Sequence, residues 1–434
     1  MFTNESGSEG VCVLKLLIAA DDYTGALDTG VKLAQQGVST AVVGIEAVNP
    51  ALMKQAADVL VVSTETRHQS PRDAYDTVYR LVQLACEIWP ETALYKKTDS
   101  ALRGNVGSEL AAMLDASGAS SIAYIPALPN QGRTTVNGCQ LDHGQPIHET
   151  VFAQDCYAPV TCANIPQIIA AQTEIQTVCV PVARMEEKAA GLSEKKTIWI
   201  YDSESVHDLR RVTRVLKTQG RQRLTAGCAG FAECLASLLD LPGDGPCKET
   251  IWTKRLCIIC GSTNPITQRQ LRAVHERGSP VVTLPANVIL NPDYDADRLM
   301  QSLLEQLPAC AGFAVTTVDM DVPEEKLTYA RRLGLNREEV RRTISKRLGL
   351  LTDRLCEHDR ELIPMLIGGD TLFGFLKAVG SEVIYPMSEP QPGCVLSRYV
   401  RNNEERWMLT KSGGIGGETI LTKLWEEMEE RTYV

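Results

Sequence analysis

Three short segments concentrate side chains that could handle an acid or a phosphate. The first is Ile18-Ala19-Ala20-Asp21-Asp22-Tyr23-Thr24-Gly25, an apolar run ending in two adjacent carboxylates, followed by a Thr-Gly pair that can open a helix. An Asp at such a junction can cap the helix through its backbone N–H groups. It can equally orient or deprotonate a substrate hydroxyl, and the sequence leaves both roles open. The second segment is Tyr95-Lys96-Lys97-Thr98-Asp99-Ser100-Ala101-Leu102-Arg103-Gly104-Asn105. It delivers Lys97 and Asp99 to a strand end and expects Arg103 to enter the next helix. A carboxylate between two cations suits an anionic, hydroxylated small molecule. The third, Ile125-Pro126-Ala127-Leu128-Pro129-Asn130-Gln131-Gly132-Arg133, presents Arg133 on a Pro- and Gly-rich loop. Any one of these cations alone reads as a solvated ion pair. Three polar strand ends in one half of the chain read as a site.

The other half carries a different chemistry. Cys260-Gly261-Ser262-Thr263-Asn264 ends an apolar strand, with Pro265 suited to the first turn of a helix. Ile367-Gly368-Gly369-Asp370-Thr371 and Leu409-Thr410-Lys411-Ser412-Gly413-Gly414 repeat the pattern of strand, glycines and helix. Glycines let backbone N–H groups approach a phosphate closely, and a helix N-terminus favours its charge. Neither GxGxxG nor GxxxxGK[ST] occurs, which argues against a dinucleotide fingerprint and a Walker-type cradle.

Positioning these segments requires alternating strands and helices. Strands are expected at Leu14–Ala19, Thr40–Ile45, Val59–Ser63, Ala93–Lys97, Ser121–Ile125 and Thr197–Tyr201. Helices fit Gly25–Gln36, Arg72–Glu87, Gly104–Ala116, Ser205–Thr218 and Ala229–Leu239. Pro126–Gln154 breaks the alternation and reads as a hairpin or long functional loop. The expected fold class is α/β: two domains, each a mostly parallel sheet flanked by helices, with the active site in the cleft between them. Leu241–Pro246 is the best linker, dividing the chain into 1–245 and 246–434.

The 434 residues carry 44 Lys and Arg against 54 Asp and Glu, a net charge of −10. With 44% hydrophobic and 23% charged residues this is a globular composition, and its acidity argues against a nucleic-acid or anionic-membrane surface. No apolar stretch near the start approaches the ~20 residues of a membrane span. Met1–Gly10 reads as a loose polar tail without a basic start, so a cytoplasmic location is expected. Fourteen cysteines in so long a chain read as reduced thiols. Cys257 and Cys260 sit in one apolar run and face opposite sides of a strand. The six histidines show no metal-binding spacing.

Asp21-Asp22-Tyr23-Thr24-Gly25-Ala26, Lys97–Gly104 and Gly132–Thr135 resemble the N-terminal signature of the four-carbon acid sugar kinases. Gly261-Ser262, Thr267 with Gln270, Gly368–Thr371, Pro392-Gly393 and Lys411-Ser412-Gly413 resemble that family's C-terminal nucleotide-binding signature. The resemblance runs in order over nearly the whole chain. It implies ATP-dependent phosphorylation of a hydroxyl, the terminal O4, of threonate, erythronate, 3-oxo-tetronate or a related acid, with Mg²⁺ bridging the phosphates. Asp22, with Asp21 second, would then serve catalysis; Lys97, Asp99, Arg103 and Arg133 would hold the acid or the transferring phosphate. Ser262, Gly368, Gly369, Asp370, Thr371, Ser412, Gly413 and Gly414 would hold the nucleotide. Metal ligands, the particular acid and homodimerisation are left open. The alternatives are a kinase of another small polyol or sugar acid, and a non-catalytic sugar-acid or nucleotide sensor.

Overall fold

The computed structural model describes residues 13–55, 57–155, 158–187, 195–243, 245, 255–307, 312–317 and 324–431. The expected tail at Met1–Gly10 lies outside the described residues, as do Asp244 and Pro246 of the expected linker. The chain divides into two compact units, Met1–Pro246 and Cys247–Val434.

The first unit contains strands β1 (Leu16–Ala20), β2 (Thr40–Gly44), β3 (Val59–Ser63), β4 (Ala93–Lys97), β5 (Ser121–Ile125), β6 (Arg133–Val136), β7 (Cys139–Asp142), β8 (Gln145–Pro146), β9 (Gln176–Val180), β10 (Thr197–Tyr201) and β11 (Leu224–Gly227). Its helices are α1 (Tyr23–Ala34), α2 (Pro50–Gln55), α3 (Pro71–Ile88), α4 (Val106–Ser117), α5 (Ile165–Ala170), α6 (Val206–Thr218), α7 (Ala229–Ala232) and α8 (Leu235–Leu239). Eight strands form a parallel sheet in the order β2-β3-β1-β4-β11-β5-β10-β9. Helices cover such a sheet on both faces, so its central strands are continuous apolar runs; β1 and β3 are buried throughout. The chain leaves β1 for β2 and β3 on one side and returns as β4 on the other. The loops after β1 and β4 therefore flank the switch point, where open α/β sheets bind ligands. Pro126–Gln154 folds as the antiparallel sheet β6-β7-β8 with short 3-10 turns.

Several element ends differ from the sequence reading by one or two residues, and some differences go further. α4 starts at Val106 rather than Gly104, because Leu102 (φ 65°) and Gly104 (φ 88°) take left-handed backbone conformations that interrupt a helix. Arg103 consequently lies in the connecting turn. Ala229–Leu239 is two short helices rather than one. Strands β9 and β11 were not expected: β9 is a half-exposed edge, and β11 has only four residues.

The second unit contains strands β12 (Arg255–Cys260), β13 (Val281–Thr283), β14 (Gly312–Thr316), β15 (Leu362–Ile367), β16 (Val383–Gln391), β17 (Cys394–Arg401) and β18 (Glu404–Lys411). Helices α9 (Pro265–Glu276), α10 (Ala286–Ile289), α11 (Ala296–Gln306), α12 (Glu324–Arg332), α13 (Arg337–His358), α14 (Gly369–Val379) and α15 (Ile420–Arg431) accompany them. The strand order is β13-β14-β12-β15-β18-β17-β16, parallel as far as β18 and antiparallel beyond it. Cys257 and Cys260 are buried free thiols on β12, and only Cys260 joins the cluster with Leu256 and Ile258. No helix among the described residues is long and apolar enough to cross a membrane.

Helices α13 and α14 cross at glycines. A Cβ at Gly349 would overlap the Gly374 carbonyl, and one at Gly374 would overlap the Ser345 carbonyl. This contact seats α14, whose first turn holds Gly369–Thr371. Gly374→Val should cost about 1–3 kcal/mol or more in urea unfolding, because backbone cannot yield to the added atoms. Gly417→Ala, where a Cβ meets nothing within 4 Å, should stay within ~0.5 kcal/mol of wild type.

Candidate active site

β1 and β4 pair in register, Ala20 opposite Lys97, so Asp21-Asp22 and the Lys97–Arg103 turn emerge side by side. A third loop, Thr64–Arg67, follows β3, the other neighbour of β1. Its guanidinium ties the segments together. Arg67 Nε lies 2.7 Å from Asp21 Oδ2, Nη1 2.8 Å from Asp22 Oδ2, and Nη2 3.8 Å from Asp99 Oδ1. The sequence reading missed Arg67, although its position just beyond a strand end is the signal that exposed the other candidates.

Asp22 takes the capping role that the sequence left open, and its second carboxylate oxygen meets other partners. As N-cap of α1 its Oδ1 accepts from Gly25 N at 2.8 Å, while Oδ2 accepts from the Thr24 hydroxyl and Arg67. Burial pushes its pKa up, but Arg67 and Lys97 outweigh that and hold it below the ordinary 3.8. Asp99 is held well below that value: burial opposes ionisation, and Arg103 and Arg67 overcome it. Both carboxylates are ionised at neutral pH. Asp21 turns inward, its side chain 3% exposed against 16% for Asp22, with Oδ1 buried and unpartnered. The more accessible of the two carboxylates is therefore Asp22.

Three cations proposed from sequence meet different fates. Arg103 is consumed by carboxylates: Nε and Nη2 donate to Asp99 at 2.8 and 3.0 Å, and Nη1 donates to Asp155 at 2.8 Å. Arg133 donates to Ser100 Oγ at 3.0 Å and Gln131 Oε1 at 3.2 Å, and its buried Nε lies 3.7 Å from Asp142 Oδ1. Phe152 lies under both guanidiniums, 4.8 Å from Arg133 and 5.8 Å from Arg103. Lys97 is 5% exposed and, among the described residues, its ammonium forms no hydrogen bond or ion pair. Its ammonium lies 2.7 Å from where a Cβ at Gly25 would sit, in space shared with the Asp22 carboxylate. Gly25 is small because these two groups occupy its side-chain volume.

A buried layer supports this surface. Neighbouring strand residues face opposite sides, so Lys96 points away from Lys97. Its fully buried ammonium donates to Ala19 O at 3.1 Å and Lys97 O at 2.8 Å, and sits 3.3 Å from Glu109 Oε2. Glu109 accepts from Thr66 Oγ1, in the loop that carries Arg67. Asn105 Nδ2 donates to Thr66 O and Gln69 O at 2.9 and 3.0 Å, pinning the same loop.

In the second unit the three Gly-rich junctions converge. The Thr371 hydroxyl accepts from Gly261 N at 3.2 Å, and Thr267 Oγ1 donates to Gly413 O. A Cβ at Gly413 would sit 2.6 Å from Ser262 Oγ, and one at Gly368 (φ 99°) 3.6 Å from Ser262 Cβ. Gly414 borders Asn264. Gln270 Nε2 donates to Ile415 O, Gly416 O and Gly417 O, shaping the last turn. Lys411 is buried and donates to Ser412 O at 2.9 Å; burial brings its pKa down to about 8. The glycine-rich turn after β18 runs through Gly417, and helix α15 begins at Ile420. The half-exposed carboxylate of Asp370 pairs with Arg341 of α13, while its neighbour Thr371 faces the junction.

Comparison with known proteins decides what this pair of sites belongs to. A model described as a sugar-binding N-terminal domain matches residues 16–235, and one described as a nucleotide-binding C-terminal domain matches 257–421. The chain is 30% identical to a D-threonate kinase of Salmonella typhimurium, covering 96% of this chain and 99% of that protein. The chain belongs to the four-carbon acid sugar kinase family. Other relatives in this family are a D-erythronate kinase of Heliobacterium modesticaldum (27% identical, 96% and 99% covered) and a 3-oxo-tetronate kinase of Haemophilus influenzae (22%, 92% and 97%). A solved Salmonella typhimurium protein shares the fold with TM-score 0.74 at 21% identity, covering 96% of this chain and all of that one. A Haemophilus influenzae structure does so with TM-score 0.69 at 22% identity, with the same coverage.

In this kinase family member Asp22→Asn tests the double role. The amide still caps α1 through its oxygen, but it presents N–H groups to Arg67 and no longer accepts a proton. We expect kcat to fall by about 10²–10⁴. Stability should fall by about 1–3 kcal/mol, because Arg67 loses a charged partner. A mutant retaining most of its kcat would return Asp22 to capping alone.

Proposed function

We propose that the protein transfers the γ-phosphoryl group of ATP to a hydroxyl, the terminal O4, of a four-carbon sugar acid. The observation that carries this reading is Lys97: a nearly buried ammonium, without an acceptor of its own, beside the ionised Asp22. Such a cation suits the substrate's carboxylate or the transferring phosphate, and the buried guanidinium of Arg133 supports it. Asp22 accepts the hydrogen bond of the attacking hydroxyl and takes its proton as the new P–O bond forms, while the bond from the γ-phosphorus to the β,γ-bridging oxygen breaks and ADP leaves with that electron pair. A strong base is not required, because phosphoryl transfer relies mainly on positioning and charge stabilisation. That fits a carboxylate whose pKa is lowered.

The nucleotide belongs to the second unit, with Ser262, Gly368, Gly369, Thr371, Ser412, Gly413 and Gly414 around its phosphates and Asp370 at the rim. Among the described residues no group of three His, Cys, Asp or Glu side chains is placed to hold a metal ion. Asp21, Asp22 and Asp99 are bridged by Arg67. Mg²⁺, brought as part of the Mg·ATP substrate, would shield the phosphate charge.

A panel of threonate, erythronate, 3-oxo-tetronate and the uncharged tetritols, assayed by ADP release, tests the reading. Losing a charged hydrogen bond costs about 1.5–3 kcal/mol, so kcat/KM should favour an acid over its tetritol by roughly ten- to a hundredfold. Equal rates would contradict the acid assignment. ADP binding without turnover of any acid would favour a sensor. Gly413→Ala, which crowds Ser262 Oγ, should weaken ADP binding in calorimetry while Asp22→Asn leaves it unchanged.

A further inference from the structure

The first unit holds a second concentration of charge that the phosphotransfer chemistry does not use. Residues 209–223 contain Arg210, Arg211, Arg214, Lys217, Arg221 and Arg223 and no acidic residue, in a chain of net charge −10. On α6 the apolar Leu209, Val212 and Leu216 are buried, so a solvated outer face would account for some of these cations. It does not account for their grouping: Arg211, Arg214, Arg221 and Arg223 line one cavity of about 940 Å³.

The cavity floor includes Leu94, Ser121 and Leu224, at the starts of the parallel strands β4, β5 and β11. Asp22 and Lys97 stand at the opposite, carboxyl ends. Five-residue strands rising about 3.3 Å per residue put roughly 15 Å between the two places. Glu186 is the one acidic residue lining the cavity, and Arg211 holds it at 2.7 Å. Arg223 donates to Pro90 O and lies 3.8 Å from the exposed Glu91 Oε2, and Arg214 is exposed on α6.

Arg221 gives the cavity its chemistry. Its guanidinium lies over the Trp199 ring at 4.9 Å, and Nη1 donates to Tyr201 Oη at 2.9 Å, which fixes the plane. The remaining edge, Nε and Nη2, is buried and has no hydrogen-bond partner. Those two N–H groups form the fork that matches two oxygens of a phosphate or carboxylate. A buried donor pair without an acceptor is a costly arrangement that an oxyanion relieves.

We propose that this cavity binds a small phosphate-bearing anion, held by the Arg221 fork and the charges of Arg214 and Arg223, separately from the Asp22 site. Titration calorimetry of the full chain with inorganic phosphate at about 0.15 M NaCl tests it, and needs no turnover, so the result stands apart from the kinase reading. Wild type should bind with Kd of about 1 mM or tighter. Arg221→Lys keeps the charge and loses the fork; Arg214→Glu reverses an exposed charge. Each should weaken binding roughly tenfold or more, while Asp22→Asn leaves it unchanged. If Arg221→Lys does not fold, Arg214→Glu decides alone. Absence of saturable binding below about 10 mM, wild-type affinity in a folded arginine variant, or loss of binding in Asp22→Asn would overturn the proposal.

Discussion

One guanidinium organises the acid-handling half of this protein. Arg67 meets Asp21, Asp22 and Asp99, which come from two different strand ends, and so bridges three mutually repelling carboxylates, whose charge Lys97 and Arg103 help to balance. Without it, burial would favour protonating Asp22, and a protonated acid cannot accept a hydroxyl proton. The same contacts fix register: the loop after β3 is locked to the loops after β1 and β4.

The guanidinium holds its place only because the protein restrains its loop from beneath and beside. Lys96 and Glu109 form a buried pair, and the Thr66 hydroxyl joins that pair to the backbone one residue before Arg67. Buried ion pairs add little net stability, but breaking one leaves an uncompensated charge, which makes this pair a device for position. Glu65 takes a left-handed conformation (φ 51°) while its carboxylate accepts from Tyr23 N at 3.0 Å and Ser63 Oγ at 2.7 Å. Gly104 brings its backbone within 3.3 Å of Arg67, counted from the position a Cβ would take. Strain and close approach concentrate on one side of the cluster, as they do where geometry is held for function.

Much of this was legible in the residues. Val59–Ser63, Ala93–Lys97, Ser121–Ile125 and Thr197–Tyr201 form strands with the expected bounds, because buried parallel strands announce themselves as apolar runs. Asp21, Asp22, Lys97 and Asp99 were found because residues just beyond such strands face the ligand edge. Arg67 escaped because it stands four residues past β3 in a polar loop, where an Arg alone looks solvated. Strand β11 escaped because Leu224–Gly227 is too short to show periodicity, and Arg103 was placed on a helix because nothing in Leu102 marks a positive φ. No local pattern signals that Arg103 also pairs with Asp155, 52 residues along the chain.

The central claim is that Arg67 keeps Asp22 ionised and in place, and a pH–rate profile of Arg67→Gln tests it most directly. In the native protein the carboxylate pKa lies below 3.8, so the acid limb of kcat/KM falls below the ordinary carboxylate range. With the guanidinium gone, burial dominates and raises that pKa. The account predicts an acid limb moved upward by about one unit or more, with kcat reduced even on the high-pH plateau. An Arg67→Gln enzyme with wild-type kcat and an unmoved acid limb would contradict it.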